Sequence, residues 1–129
     1  MSKRATGTFE VKLNPESQDE AEGTTLSRLS IDKQFAGDLD AHSDGAMLSA
    51  VTSTKGSAGY VAIERVVGTL AGQSGSFALQ HSGTMNRGEA SAVITVVPDS
   101  GTGELAGLSG EMKIIIDDGK HSYEFDYEV

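Results

Sequence analysis

A chain of 129 residues with a formal charge of −9 has room for one domain, spanning 1–129, whose core buries roughly two thirds of the unfolded surface. Its few Lys and Arg are scattered, which excludes the phosphate-binding stripe that a nucleic-acid partner needs. With no cysteine, disulfides and thiolate metal sites are excluded as well.

No apolar segment follows the basic residues Lys3 and Arg4, and no run approaches a membrane span, so a soluble, unprocessed, cytoplasmic protein without a membrane partner is expected. Sixteen glycines and no tryptophan leave Val, Ile, Leu, Phe and Met to fill the interior between closely approaching strands. That is the composition of a barrel or a sandwich.

In chain order, Gly7 to Leu13 alternates, with Phe9, Val11 and Leu13 on one face and Thr8, Glu10 and Lys12 on the other, as a half-buried strand does. Asn14 to Gly23 is polar, contains Pro15 and carries four acidic residues, and is expected to be a surface connection. Thr25 to Phe35 predicts a second strand with Ser27, Leu29, Ile31, Lys33 and Phe35 on one face, so Lys33 points inward among apolar neighbours. A turn or bend at Gly37 leads into a third strand, Asp38 to Ser53, with a break expected near Asp44-Gly45. Lys55 to Gly59 reads as a turn.

Tyr60 to Leu70 predicts the fourth strand, Ala71 to Gly75 a short connection, and Ser76 to Met85 the fifth. The fifth has Phe77, Leu79, His81, Gly83 and Met85 on one face. Asn86-Arg87-Gly88 has the size of a hairpin turn, and Ala90 to Val97 is the sixth strand. Glu111 to Ile116 and His121 to Val129 complete the set around Asp118-Gly119, a strong hairpin signal.

Between the sixth and seventh strands lies Ser100 to Gly110, with four glycines and small hydroxyl residues that cannot sustain a helix. It reads as a compact corner in which Leu105 and Leu108 place one 3₁₀-like turn over an end of the sheet. A phosphate-loop reading fails, because no Lys-Ser or Lys-Thr follows and the next element is a strand. Serial hairpins predict antiparallel pairing, and eight strands close into an antiparallel β-barrel whose interior holds side chains or one small ligand. A two-sheet sandwich is the alternative.

Pro98-Asp99-Ser100-Gly101-Thr102-Gly103-Glu104-Leu105-Ala106-Gly107, with Gly75 to Gly83 upstream and Gly119 to Tyr123 downstream, resembles a bacterial family known as domain of unknown function 3224, from about Ala5 to the C-terminus. The resemblance implies a small antiparallel barrel like that of allene oxide cyclase and the dirigent proteins. It implies no established activity.

The strand period of two places His81 inward with Phe77 and Leu79. On the fourth strand Tyr60, Ala62 and Glu64 share one face, Val61, Ile63 and Arg65 the other. Either face could be inside: the Val61 and Ile63 face suits a packed interface, whereas the smaller residues of the Tyr60 and Glu64 face suit a cavity wall, and Glu64 inside is the preferred reading. Lys33, Glu64 and His81 then form a polar cluster in an apolar lumen. Tyr60 and Phe77 line it, and Tyr123 and Tyr127 add hydroxyls. Charged groups in such a cavity must pair or shift their pKa values. They form either a buried ion pair that closes the barrel or an acid–base set, in which His81 or Glu64 accepts a proton and Lys33 or a tyrosine steadies an oxyanion.

Asp38, Asp40, His42 and Asp44 alternate on one strand face. Successive ones lie about 7 Å apart along a straight strand, too far for all to meet one ion, so a solvated face is expected, with no metal and no cofactor. Ser76, Ser82 and Ser109 lack a nucleophile-elbow context. The outer face of the sixth strand, Ser91, Val93, Thr95 and Val97, is partly apolar and points to a homodimer. The expected function is binding of a small apolar molecule in the lumen. An isomerase or cyclase, or a dimeric interaction module with a packed core, are the alternatives.

Overall fold

The computed structural model describes residues 2–129. The strands are β1 (Lys3–Ala21), β2 (Thr24–Gly37), β3 (Leu39–Thr52), β4 (Ala58–Leu70), β5 (Gln73–Asn86), β6 (Glu89–Val96), β7 (Ser109–Asp117) and β8 (Lys120–Glu128). Each pairs antiparallel with the next, and β8 returns to β1 to close the barrel. A sandwich is thereby set aside.

Four connections are two-residue hairpins of one kind. Glu22-Gly23, Ala71-Gly72, Arg87-Gly88 and Asp118-Gly119 all hold positive φ at both positions, as the type I′ turn that matches strand twist requires. The expected break at Asp44-Gly45 is absent, since β3 runs through it paired on both sides.

Asn14 to Gly23 is not the surface connection expected from its polarity. Asn14 to Ala21 continues β1, paired with β2 as far as Ala21↔Thr24. Cross-strand backbone bonds hold the segment without an apolar face, and a bulge between Pro15 and Ser17 absorbs the proline that a regular ladder would reject. Beyond Phe9↔His121 this stretch no longer pairs with β8. It is a free edge, and Pro15, Lys12, Glu16, Asp19 and Glu20 supply the charges and proline that blunt edge-to-edge pairing.

The corner between β6 and β7 replaces missing strand. β6 pairs with β7 only at Ile94↔Met112 and Thr95↔Glu111. Below that point the corner itself runs along β5. Thr102 N donates to Ser76 O at 2.8 Å, Ser76 N to Thr102 Oγ1 at 3.1 Å and Ala78 N to Ser100 Oγ at 3.0 Å. The small hydroxyl side chains stand in for ladder carbonyls, and the 3₁₀ turn Gly103–Leu105 buries Leu105 and, just after it, Leu108 as a plug. The end that they close is packed solid around Phe35, Leu70, Phe77, Leu79 and Phe125.

Tyr123 ties the wall across this end. Its hydroxyl accepts from Leu39 N at 2.9 Å and lies 2.9 Å from Ala36 O and 3.2 Å from Leu39 O. Burial is the main cause that raises its pKa. Tyr123→Phe leaves a buried N–H without a partner and is expected to cost about 1–3 kcal/mol in a urea titration. A loss below 0.5 kcal/mol on that roughly 1 kcal/mol scale would show that the hydroxyl is not a structural tie.

The opposite end flares. Glu10 to Ala21 of β1 and Glu89 to Val93 of β6 each pair on one side only, and Lys113 to Asp117 of β7 pair only with β8. Inward-facing residues there are only half covered: Val11, Leu29, Met47, Tyr60 and Ile114 are half-buried, while Leu13 and Met85 are 45% and 44% exposed. Leu13 thus keeps its expected face, but at the open rim.

Candidate functional site

At the floor of this apolar funnel sits one carboxylate with three donors. Glu64, fully buried on β4, accepts from Ser43 Oγ at 2.7 Å through Oε1. Its Oε2 accepts from Lys33 Nζ at 2.9 Å and from His81 Nε2 at 2.6 Å. The register explains the convergence: Lys33 on β2 pairs with Ser43 on β3, and Glu64 on β4 lies across from Gly45 on β3 and Leu79 on β5, two residues from His81. Alternation turns all four inward.

Burial by itself would drive the Glu64 carboxyl upward. The His81 hydrogen bond, the charge and hydrogen bond of Lys33 and the charge of His81 together overcome it and hold the group at about 2. Glu64 is therefore ionised at neutral pH and can only accept. The His81 proton in this contact must then lie on Nε2. Among the described residues nothing bonds to Nδ1, yet no fully enclosed side-chain nitrogen or oxygen lacks a partner. Nδ1 therefore opens on the lumen.

Lys33 is 4% exposed. Its ammonium lies 5.0 Å from the Phe9 ring centroid and 5.3 Å from that of Phe35, so two ring faces and one carboxylate replace the water that the charge has lost. Tyr60 stands above His81, with ring centroids 6.3 Å apart. Its ring crosses Gly83 on the neighbouring strand, where an added Cβ would come within 2.4 Å of Cε1. Burial and the Glu64 charge raise the Tyr60 pKa, in that order, so the phenol stays protonated at neutral pH.

The sequence placed Lys33, Glu64 and His81 together, and the structure brings them into direct contact. Phe77, Tyr123 and Tyr127 lie elsewhere. Phe77 and Tyr127 both stack on Phe125 in the packed end, and the Tyr123 hydroxyl is spent on backbone. Ser43, between His42 and Asp44 on the alternating solvated face, follows as inward-facing but not as a Glu64 partner. Phe9 and Phe35 were legible as core but not as the bed for Lys33. On the outer face Asp38 Oδ2 accepts from Thr6 N at 3.0 Å, and His42 Nε2 pairs with Asp32 at 2.6 Å. Asp38, Asp40 and His42 each stand exposed.

This geometry sets up a carboxylate-oriented imidazole facing an apolar space, with an ammonium beside it. Such a site can hold a polar headgroup or exchange a proton with it.

No curated protein matches the chain. Over 99% of its length and 97% of the other chain it superposes, at 52% identity and a TM-score of 0.96, on the crystal structure of a protein of unknown function from Shewanella oneidensis MR-1, itself of the DUF3224 family. This similarity supports the barrel and lends no support to a likeness with allene oxide cyclase or dirigent proteins. The model of a family described as protein of unknown function (DUF3224) matches residues 5–127, and the chain belongs to that family.

Proposed function

We propose that the barrel binds a small, largely apolar molecule in the flared end, with the polar part of the ligand directed at His81 and Lys33. The observation that carries this reading is the incomplete cover of inward-facing apolar side chains. Val11, Leu29, Met47, Tyr60 and Ile114 line the wall above a charged floor and remain half-buried. Burying such surface contributes about 25 cal/mol per Å², and concave apolar walls with a few convergent polar groups are where small ligands bind.

Native mass spectrometry of the protein purified gently from its own cells tests this. A mass excess that disappears on denaturation is expected. A clean mass, together with no shift of the Met47, Tyr60 and Ile114 resonances on adding small apolar compounds, would overturn the reading.

A second copy of the chain is the proposed partner for the outside of the barrel. Leu48, Val61, Ile63, Val67 and Val93 on β3, β4 and β6 are 52 to 57% exposed, and between them lie the uncharged residues Ala46, Gln80 and Ser82. Arg65 stands between Ile63 and Val67 across from Asp44, so the charges on this face are opposite and cancel. In a chain of charge −9 two identical molecules repel least at a face without net charge, and closed twofold pairs are the commonest assemblies. The exposed apolar face includes Val93 of the sixth strand and extends onto β4 and β3. Sedimentation equilibrium should give a dimer that Ile63→Lys converts to a folded monomer. A wild-type monomer at all concentrations would contradict the dimer.

A further inference from the structure

The Nδ1 atom of His81 stands apart from the other polar atoms of the floor. Each Glu64 oxygen already accepts, Ser43 donates to Oε1, and Lys33 is bound to Oε2 and bedded on two rings. Among the described residues Nδ1 has no partner, and it faces the funnel. Below it one ammonium balances one carboxylate, and the imidazole places the proton of its Glu64 contact on Nε2. A ligand that brings an acidic O–H to Nδ1 keeps the balance: the proton moves to Nδ1, the imidazolium so formed stays bonded to Glu64, and the ligand anion lies beside two cations.

We infer that the ligand is an apolar organic acid, bound as its anion with His81 converted to the imidazolium. This rests on the funnel as the binding site. It adds that the headgroup is a proton donor rather than a neutral carbonyl or ester. Where the free acid is already ionised and Nδ1 is bare, binding draws one proton from solvent, and that proton resides on Nδ1. The groups that face the imidazole are Glu64 and Tyr60 from β4 and Lys33 from β2, with Ser43 from β3 bonded to the same carboxylate and His121 of β8 half-buried on the inward face near the rim against Phe9. Tyr60 is held protonated by burial and by Glu64. Neither it nor the ionised Glu64 is then the source of the proton near neutral pH. Anion binding must take it from solvent.

The probes are 4-phenylbutyrate and its methyl ester, which share a skeleton and differ in the acidic O–H. Calorimetry at pH about 8, in two buffers of different ionisation enthalpy, should show uptake of about one proton with the acid and none with the ester. The acid's affinity should fall as pH rises, because each bound anion carries a proton taken from solvent. His81→Gln should abolish the proton uptake and bring acid and ester to equal affinity, with funnel resonances still shifting. Lys33→Met, which keeps His81, should weaken the acid at least tenfold.

Equal binding of acid and ester by the wild type, or acid binding without proton uptake, overturns the inference and leaves funnel binding standing. If neither probe shifts the resonances of Met47, Tyr60 and Ile114, the inference and the funnel reading fall together.

Discussion

Glu64→Ala is expected to destabilise the barrel by about 3–5 kcal/mol, because it strands the Lys33 ammonium in the lumen with no counter-charge. The cost arises from leaving the partner alone and not from any large net worth of the ion pair. The double variant Lys33→Met/Glu64→Leu, which removes both charges and fills similar volume, is therefore expected to recover most of the loss and to exceed the single variant by about 2 kcal/mol or more. Urea denaturation of the two variants decides it. A single variant as stable as wild type would mean that Lys33 is hydrated through the open end and the lumen floor is wet.

The same carboxylate gives the acid limb of stability. Its folded pKa of about 2 lies below the value of about 4.3 for an unfolded Glu, so the folded state favours the ionised form. The contribution, on the order of 3 kcal/mol, is complete above the unfolded value and lost as pH falls from about 4.3 through 2. Unfolding free energies of wild type and Glu64→Gln should therefore converge across that window. A difference that stays constant down to pH about 2 would show that Glu64 is not held ionised.

The second large effect is expected at Gly45. A Cβ built there would lie 2.0 Å from Ile63 O and 2.7 Å from Glu64 Cα, distances that only backbone movement can relieve. β3 approaches β4 this closely directly across from Glu64, so strand spacing and the position of the carboxylate depend on the same missing side chain. Gly45→Ala should cost about 3 kcal/mol, the upper end for overpacking, and should weaken the Ser43 and Lys33 contacts with it. A melting temperature within 2 °C of wild type, where 1 kcal/mol shifts such a domain by about 4 °C, would show that the strands separate freely.

Much of this architecture was legible because strands alternate with a period of two. His81 follows from Phe77 and Leu79, Lys33 from Ile31 and Phe35, and the choice of the Glu64 face from the size of Tyr60, Ala62 and Val66 against Val61 and Ile63. Register was not legible, because the pairing partner of a strand lies outside its own pattern. For that reason Ser43 could be placed on the wall but not against Glu64, and Tyr123 could be placed inside but not recognised as a backbone tie. Asn14 to Ala21 misled for a related reason. Its backbone bonds to β2 decide its conformation, while its side chains, all exposed, record only that water lies on both faces.

The state of the lumen is read most directly from the His81 ring by two-bond proton–nitrogen correlation NMR at pH about 8. With Glu64 ionised and accepting, Nε2 should carry the proton and Nδ1 should show the resonance of a bare, pyridine-like nitrogen that moves when an acidic ligand is added. A ring protonated on Nδ1 alone would contradict the account, since Nε2 would then accept from a protonated Glu64 and the lumen floor would hold no carboxylate to pair with Lys33.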